Sequence, residues 1–287
     1  MSLLGVGDVR RLLDEVGGTA RRSLGQNFVA DPGTVRRIVA VGDLPAGSPV
    51  LEVGPGLGSL TLALLEAGHP VLAVEQDDRL AELLPRTVAE RAGPSAEVQV
   101  VCGDALRVDL EELLVGPPGP WALVANLPYH VAVPSLLRVL AEVPQVERLV
   151  VMVQAEVADR LVAEPGGRTI GVPTVKAGWF ASARTLLRVG PEVFVPRPRI
   201  DSAVVGLTRR PQPDADRDLA FSLVERAYHQ RRKMLRSTLG GLVPIEVFAA
   251  AGVDPTDRPE QLGVGDWAGL ARALGGADGA NRAGGAS

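Results

Sequence analysis

The chain has 287 residues, a net charge of −4 at pH 7, a pI near 5.5 and 46% apolar residues. This length predicts about two domains with enough apolar material for a core, and the lack of any apolar run near ~18 residues argues against a membrane partner. The acidic balance argues mildly against nucleic acid as a partner, although local charge matters more than the sum. The single cysteine, Cys102, excludes an internal disulfide framework and is typical of a cytoplasmic protein; its place at a strand end predicts a buried structural thiol.

The N-terminal region predicts two short helices joined by a polar loop. Asp8 can cap the first helix, and Asp31 followed by Pro32 is typical of the start of the second. The segment 21–28 between them is polar and predicts a loop. No long apolar stretch follows the early charged residues, so we expect no secretory signal.

Strand and helix patterns alternate in the middle of the chain. The predicted strands are 49–53, 70–75, 97–102, 121–126 and 147–153, and the predicted helices are 59–67, 77–91, 109–114, 134–142 and 155–163. Strands separated by helices indicate an α/β fold with a parallel sheet and crossover connections. Two further strands, 183–189 and 202–208, are expected to pair at the sheet edge, with an irregular proline-rich loop at 191–198 between them.

The C-terminal part of the chain is predicted to be helical throughout. A linker at 211–216 precedes predicted helices at 217–239, 244–251 and 266–274. We therefore predict a first domain over 1–210, a small helical domain over 211–275 and a disordered tail over 276–287.

A glycine-rich loop follows the first predicted strand of the sheet and opens a helix. Gly54, Gly56 and Gly58 allow a sharp turn and a close approach of the backbone to a ligand. A dinucleotide fingerprint needs Gly or Ala at the sixth position, where Ser59 stands. Together with Glu52, two residues before the first glycine, the pattern looks more like S-adenosylmethionine (SAM) methyltransferases than dehydrogenases.

Polar residues end three successive predicted strands: Glu75, Asp104 and Asn126. Because the carboxyl ends of parallel strands form the ligand-binding edge of such a sheet, we expect these side chains to line one site. Glu75 is placed to accept hydrogen bonds from ribose hydroxyls. The resemblance to SAM methyltransferases implies that Asp104 reaches the adenine amine of the cofactor. Each residue taken alone could equally be a strand-end cap.

The segment Asn126-Leu127-Pro128-Tyr129 suits a planar target that carries an amine. The Asn126 side-chain oxygen and the Leu127 carbonyl can accept both N–H groups of an adenine amine and favour a tetrahedral nitrogen in the transition state. Tyr129 can stack on the base, and Phe194 is the candidate for its opposite face. The alternative for Phe194 is an ordinary core aromatic.

From about Arg21 to Leu239 the chain resembles the ribosomal RNA adenine N6,N6-dimethyltransferases, most closely the branch that acts on small-subunit RNA. The motifs that carry the resemblance are Leu24-Gly-Gln-Asn-Phe28, Glu52-Val-Gly-Pro-Gly-Leu-Gly-Ser-Leu-Thr61, Gly103-Asp-Ala-Leu106, Asn126-Leu-Pro-Tyr129, Met152-Val-Gln-Ala-Glu-Val-Ala-Asp-Arg160, Val195-Pro-Arg-Pro-Arg-Ile-Asp-Ser-Ala-Val204 and Gln230-Arg-Arg-Lys-Met-Leu-Arg236. The chain departs from the family pattern at Ile170, where tyrosine is frequent, and at Arg197, where proline is frequent.

The resemblance implies a Rossmann-like SAM-dependent methyltransferase domain followed by a small helical domain. It adds Asn27 and Val29 to the cofactor contacts. It implies transfer of four methyl groups from SAM to two adjacent adenosines in the 3′-terminal hairpin of 16S rRNA, within a partly assembled small subunit in the cytoplasm. Nothing in the sequence indicates an obligate dimer, so we expect a monomer without a membrane partner.

A basic cluster near the C-terminal end of the resemblance predicts phosphate contacts with RNA. Its members are Arg231, Arg232, Lys233 and Arg236. The alternative is a solvated helix face, because residues four apart lie one helical turn apart.

Three other functions remain alternatives at this stage. The first is a methyltransferase of the macrolide-resistance type that acts on one adenosine of 23S rRNA. The second is a ribosome assembly factor that acts largely by binding. The third, an NAD-dependent oxidoreductase, is disfavoured by Ser59. The three histidines are too scattered to predict a metal site.

Overall fold

The computed structural model describes residues 1–21, 24–93, 96, 98–114, 119–128 and 131–284, with side chains up to residue 276. The chain divides into two compact units. The sheet unit comprises Met1–Ala158 and Ser182–Arg209, and the helical unit comprises Asp159–Ala181 and the chain from Arg210 onward. Among the described residues, no helix has the length and apolarity needed to cross a bilayer.

The sheet unit contains the strands and most of the crossover helices. Its strands are β1 (Phe28–Val29), β2 (Val50–Val53), β3 (Val71–Glu75), β4 (Val98–Cys102), β5 (Trp121–Asn126), β6 (Val146–Gln154), β7 (Ala181–Val189), β8 (Phe194–Val195) and β9 (Ser202–Arg209). Its helices are α1 (Val6–Glu15), α2 (Pro32–Gly42), α3 (Ser59–Glu66), α4 (Asp78–Ala92), α5 (Leu110–Leu113), α6 (Ala132–Glu142) and the start of α7 (Ala155–Leu161).

Within the described residues, seven strands form one sheet in the order β4-β3-β2-β5-β6-β9-β7. The strands from β4 to β6 are parallel, and β9 runs antiparallel to β6. Every residue of β2 and β3 is buried, as expected for apolar strands covered on both faces. The predicted α/β fold with a parallel sheet is confirmed, and the two late strands are neighbours at its edge as expected.

The helical unit contains the C-terminal helices and one helix that the sequence did not reveal. Its helices are α8 (Val172–Phe180), α9 (Arg217–His229), α10 (Leu235–Leu239), α11 (Ile245–Ala251) and α12 (Val264–Gly284). The sequence predicted one domain boundary near residue 210, whereas residues 159–181 belong to the helical unit. Trp179 and Phe180 of α8 explain this difference, because their rings pack edge-on against Phe221 of α9 at 5.6 and 6.2 Å.

Two helices of the helical unit differ from the sequence prediction. The predicted helix over 217–239 is interrupted between His229 and Leu235. The backbone N–H groups of Leu235 and Arg236 instead donate to the carbonyls of Asp257 and Pro255, which starts a new helix. The backbone of α12 continues to Gly284, into the range 276–287 that was expected to be disordered; residues 285–287 lie outside the described chain.

Two local predictions in the sheet unit were wrong, and two predicted helix caps are present. The proline-rich loop at 191–198 contains β8, which pairs antiparallel with β1. Cys102 is exposed rather than buried, because β4 lies at the edge of the sheet. Asp8 caps α1 from inside its first turn, because its carboxylate accepts the N–H of the N-cap residue Gly5 at 3.0 Å. The predicted cap at Asp31 is confirmed: its carboxylate accepts the Thr34 N–H at 2.6 Å, one turn into α2.

Candidate cofactor and target cleft

A cleft of about 1000 Å³, open solvent included, lies at the carboxyl ends of the central strands of the sheet unit. Its walls come from the segment 24–29, the glycine loop, the ends of β3 and β5 and the turn after β4. The lining residues that the sequence had selected are Asn27, Val29, Gly54, Gly56, Glu75, Asp104, Asn126, Leu127 and Pro128. The structure therefore brings these predicted residues to one cleft.

The glycine loop takes a conformation that other residues rarely adopt. Gly54, Gly56 and Gly58 have φ of 69°, 61° and 93°. A Cβ atom on Gly56 would lie 2.8 Å from Cε1 of Phe28, and a Cβ atom on Gly58 would lie 2.7 Å from Cδ1 of Leu84. The glycines thus permit both the turn and close packing of the N-terminal segment on the loop.

Glu75 ties the end of β3 to the glycine loop. Its side chain is buried, and its two carboxylate oxygens accept the N–H groups of Gly56 and Asp77, each at 2.9 Å. Burial raises the pKa of Glu75, and these N–H groups oppose that rise by stabilising the charged form. Each carboxylate oxygen has a second lone pair, so Glu75 can also accept bonds from a ligand.

Glu52 lies deeper in the same cleft wall and is 1% exposed. The hydroxyl of Thr61 donates to its carboxylate at 2.6 Å. Burial raises the pKa of Glu52 to about 8; the Thr61 bond opposes the rise and the charge of Glu75 adds to it. Near neutral pH, Glu52 therefore holds a proton in the folded protein.

The free energy of unfolding of the native chain should decrease as the pH rises, because Glu52 ionises less readily in the fold. We expect Glu52→Gln to abolish this decrease. The pKa of Glu52 is higher in the fold, about 8 against 4.5, so its contribution to stability is full below pH 4.5 and is lost as the pH rises toward 8. Glutamine cannot ionise but still accepts the Thr61 hydroxyl.

Denaturant unfolding at about pH 5 and about pH 8 measures this effect. The free energy of unfolding of the native chain, relative to the variant, should fall by up to about 1.4 kcal/mol per pH unit. An identical pH dependence of the two proteins would contradict the assignment.

Asn126 is the last residue of β5, and Asp104 lies two residues beyond the end of β4. The Asp104 side chain is 28% exposed and accepts the Leu106 N–H at 2.9 Å. The side-chain nitrogen of Asn126 donates to the backbone carbonyl of Asn27 at 3.0 Å. This bond sets the side-chain amide so that its oxygen is left for another partner.

The structure places only one of the two predicted stacking residues. Tyr129 lies outside the described residues. Phe194 is 4% exposed, does not line the cleft and pairs with Val29 between β8 and β1. Its placement favours the core-aromatic alternative over a contact with the target base.

The sequence did not predict the contacts of Asp77, which join the end of β3 to the N-terminal segment. The Asp77 side chain is fully buried and accepts from Gln26 at 2.9 Å and from Arg79 at 2.7 and 3.0 Å. Burial alone would raise the pKa of Asp77, but the bonds from Arg79 and Gln26 and the charges of Arg79 and Arg21 lower it to about 2. In the sequence Asp77 is only the first residue of a predicted helix, and a partner 51 residues away leaves no local signal.

The basic cluster of the helical unit does not lie on one continuous helix face: Arg231, Arg232 and Lys233 lie at the turn between α9 and α10, and Arg236 lies in α10. Arg231 is engaged within the unit: its guanidinium donates to the Arg168 carbonyl at 2.6 Å and contacts Glu260 at 3.4 Å. Arg232, Lys233 and Arg236 are exposed. The predicted RNA contacts therefore divide into one structural arginine and three exposed cations.

Comparison with known proteins identifies the family of the chain. The family model for ribosomal RNA adenine dimethylases matches residues 17–274. The chain belongs to this family. A relative from Kineococcus radiotolerans named ribosomal RNA small subunit methyltransferase A is 56% identical over 277 residues, which cover 94% of this chain and 91% of the relative. The resemblance found in the sequence is confirmed.

Two solved structures share the fold. A dimethyladenosine transferase from Plasmodium falciparum superposes with a TM-score of 0.70 at 21% identity, covering 84% of this chain and 94% of that one. The 23S rRNA methyltransferase ErmE gives a TM-score of 0.64 at 26% identity, covering 86% of this chain and 99% of that one. The predicted Rossmann-like methyltransferase fold with a helical C-terminal part is confirmed.

The chain is a SAM-dependent methyltransferase, as predicted. The cleft fits that cofactor, because buried carboxylates and a side-chain amide meet a glycine loop at the carboxyl edge of the sheet. A Cβ atom on Gly54 would have no neighbour closer than Pro128 Cδ at 3.9 Å, so the backbone there is open to a ligand.

Proposed function

We propose that this chain transfers methyl groups from SAM to the N6 amines of two adjacent adenosines in the 3′-terminal hairpin of 16S rRNA. The observation that carries the proposal is the Asn126 side chain, which lines the cleft with its nitrogen held by the Asn27 carbonyl at 3.0 Å. The name of the Kineococcus relative, which refers to the small ribosomal subunit, supports the choice of RNA. We further propose a precursor of the small subunit as the partner, a cytoplasmic location and a monomeric enzyme.

When bound, SAM would supply a methyl group on a sulfonium sulfur, which departs as a neutral thioether when the carbon–sulfur bond breaks. The methylated nitrogen then carries a positive charge and loses its proton to solvent, so the chain needs no strong base. The adenine amine is a poor nucleophile because its lone pair is delocalised into the ring. The Asn126 oxygen and the Leu127 carbonyl accept its two N–H groups and favour the tetrahedral nitrogen that attacks the methyl carbon. Alignment of the amine in this cleft supplies much of the remaining rate.

The other predicted cleft residues divide between holding the cofactor and excluding water. Glu75 and Asp104 would accept bonds from the ribose hydroxyls and the adenine amine, and the backbone at Gly54 and Gly56 would approach the cofactor closely. Asn27 and Val29 would cover it from the N-terminal side. Tyr129 remains our candidate for stacking on the target base.

RNA binding by a chain of net charge −4 requires local positive charge. We propose that Arg232, Lys233 and Arg236 contact phosphates, since they are exposed and lie at the turn before α10 and in its first residues. Arg231 supports this turn through the Arg168 carbonyl and Glu260.

We expect Arg232→Ala and Lys233→Ala each to weaken binding to small subunits and to reduce the slope of log K against log salt by about one. Each variant removes one phosphate contact and the counterion release that goes with it. Binding at several salt concentrations measures the slope. Arg217→Ala is the matched control, because this exposed arginine of the same unit pairs with Asp218 at 3.0 Å and should leave the slope unchanged. Slopes equal to that of the native chain would contradict the phosphate contacts.

The choice between ribosomal RNAs is tested in cells that lack their own small-subunit dimethyladenosine. The gene is expressed there, the two large rRNAs are purified separately, and their nucleosides are analysed by mass spectrometry. We expect dimethyladenosine in the small-subunit RNA. Its appearance only in the large-subunit RNA would favour the macrolide-resistance alternative.

The same cells test the assembly-factor alternative. We expect Asn126→Ala to abolish dimethyladenosine. If growth and subunit maturation nevertheless stay at the level of the native gene, binding alone suffices and the assembly role is primary. If they fall to the level of cells without the gene, methylation is what the cells need.

A further inference from the structure

Residues 24–29, which we call the roof segment, form one wall of the cleft. One end of the segment is fixed by backbone pairing, because Phe28 lies opposite Val195 and Val29 opposite Phe194. The N-terminal part of the segment, which includes Gln26 and Asn27, lies outside the strands. A separate set of contacts must therefore hold that end.

Asp77 supplies these contacts. Its carboxylate is fully buried, and the side-chain nitrogen of Gln26 donates to it at 2.9 Å. Arg79 binds the same carboxylate through two nitrogens, and Arg21 approaches it at 3.3 Å. The side-chain oxygen of Gln26 in turn accepts the Arg21 N–H at 2.7 Å. Charge-assisted bonds to a buried carboxylate are stronger than neutral ones, so this end of the roof segment is firmly held.

The next residue along the roof segment connects this anchor to Asn126. The backbone carbonyl of Asn27 accepts the side-chain nitrogen of Asn126 at 3.0 Å. A side-chain amide has a donor end and an acceptor end, and its orientation follows from the partner of each end. The position of the Asn27 carbonyl therefore decides which end of Asn126 is left for a substrate.

We propose that Asp77 is a positioning residue for methyl transfer: by holding Gln26 it places the Asn27 carbonyl that turns the oxygen of Asn126 toward the target amine. This inference rests on the proposed function of Asn126. Asp77 does not line the cleft, yet in this proposal its carboxylate affects the rate of the reaction. Without the anchor, the Asn126 amide can rotate and present N–H groups to an amine that itself needs acceptors.

Gln26→Ala tests the anchor while leaving Asp77, Arg79 and the cap of α4 in place. We expect the single-turnover rate of methyl transfer, at saturating SAM and saturating small subunits, to fall at least about tenfold, the effect of one lost hydrogen bond to a charged group. In the protein without SAM, hydrogen exchange at the backbone amides of the roof segment should become faster. The midpoint of thermal unfolding should stay close to that of the native chain.

Asp78→Asn is the matched control. Asp78 is the neighbour of Asp77, its side chain is 71% exposed, and it lies 3.6 Å from Arg21. Its replacement removes the same charge as Asp77→Asn but no bond to Gln26, so we expect the native rate and native hydrogen exchange. A rate loss equal to that of Asp77→Asn would show that local charge, and not the anchor, matters, and would overturn the proposal.

An exchange of donor and acceptor between the two side chains gives the sharpest test. Gln26→Glu places two carboxylates together and should lower the rate more than Gln26→Ala does. Asp77→Asn keeps the helix cap, since asparagine is an equally good capping residue, but gives up the charged acceptor. In the double variant, which combines Gln26→Glu with Asp77→Asn, the introduced amide can donate to the introduced carboxylate. We expect most of the rate lost in Gln26→Glu to return.

Failure of this inference is distinguishable from failure of the proposed function. If the native chain methylates small subunits and all the Gln26 and Asp77 variants do so at the native rate, the anchor has no role. If the double variant is no better than Gln26→Glu, the bond between the two side chains is not what positions Asn126. If the native chain methylates nothing, the proposed function itself fails, whatever the hydrogen exchange shows.

Discussion

Replacement of Asn126 by alanine is expected to lower the single-turnover rate of methyl transfer at least about a hundredfold, the typical effect of losing one preorganised hydrogen-bonding partner in a transition state. The Asn126 oxygen accepts from an amine whose demand for an acceptor grows as its nitrogen becomes tetrahedral. The bond is therefore stronger in the transition state than in the ground state, and its loss lowers the rate more than the binding of RNA.

Rapid mixing at saturating SAM and saturating small subunits measures this rate, and calorimetry measures the affinity for SAM separately. Asn126→Asp is the informative companion, because it keeps an oxygen but cannot donate to the Asn27 carbonyl. We expect it to be as slow as the alanine variant. Two outcomes would contradict the role of Asn126. One is a rate for Asn126→Ala within threefold of the native rate, and the other is a recovery of the native rate when the SAM concentration is raised.

Replacement of Glu75 by glutamine is expected to raise the dissociation constant for SAM about ten- to a hundredfold, which corresponds to one or two charge-assisted hydrogen bonds. The Glu75 carboxylate accepts the N–H groups of Gly56 and Asp77, and in our proposal it also accepts the ribose hydroxyls. A side-chain amide offers a single oxygen, so one of those N–H groups would face an NH₂ group. The variant loses both the shape of the glycine loop and a ligand contact.

Isothermal titration with SAM measures this change. Glu66→Gln is the matched control, because Glu66 is a carboxylate of the same unit that pairs with Arg36 at 2.6 Å on the surface. We expect it to bind SAM as the native chain does. Native affinity in Glu75→Gln would refute the assignment, and equal losses in both variants would point to a nonspecific effect of charge.

The central architecture could be predicted from the sequence because its signals are local and repeated. Apolar runs such as Val50–Val53 and Trp121–Asn126 alternate with helical patterns, and that alternation specifies a parallel sheet. Polar residues that end such strands meet at one edge whatever the details of packing. For this reason Glu75, Asp104 and Asn126 could be assigned to one cleft before the fold was known.

The contacts that shape the cleft could not be predicted, because they join distant parts of the chain. The strand of Phe194 and Val195 is two residues long, too short for any periodicity, and it exists because it pairs with Phe28 and Val29. That pairing also explains why Phe194 is buried, whereas its chemistry alone suggested a stacking partner for a base. Gln26 and Asp77 lie 51 residues apart and are ordinary loop and cap residues in the sequence.

The basic turn shows a different limit of sequence reasoning. The sequence reveals the cluster of positive charge, but not which of its members bind within the unit and which are exposed. The backbone breaks between His229 and Leu235 because later carbonyls, from Pro255 and Asp257, capture the N–H groups that start the next helix. Arg231 then turns inward to the Arg168 carbonyl, while its neighbour Arg232 remains exposed.

The most direct measurement uses the purified chain, methyl-labelled SAM and small subunits that lack dimethyladenosine, with analysis of the nucleosides after digestion. The account predicts labelled N6,N6-dimethyladenosine at two adjacent positions near the 3′ end of 16S rRNA, and none with Asn126→Ala. Label on any other nucleoside, on large subunits only, or in equal amount with the Asn126 variant would contradict it.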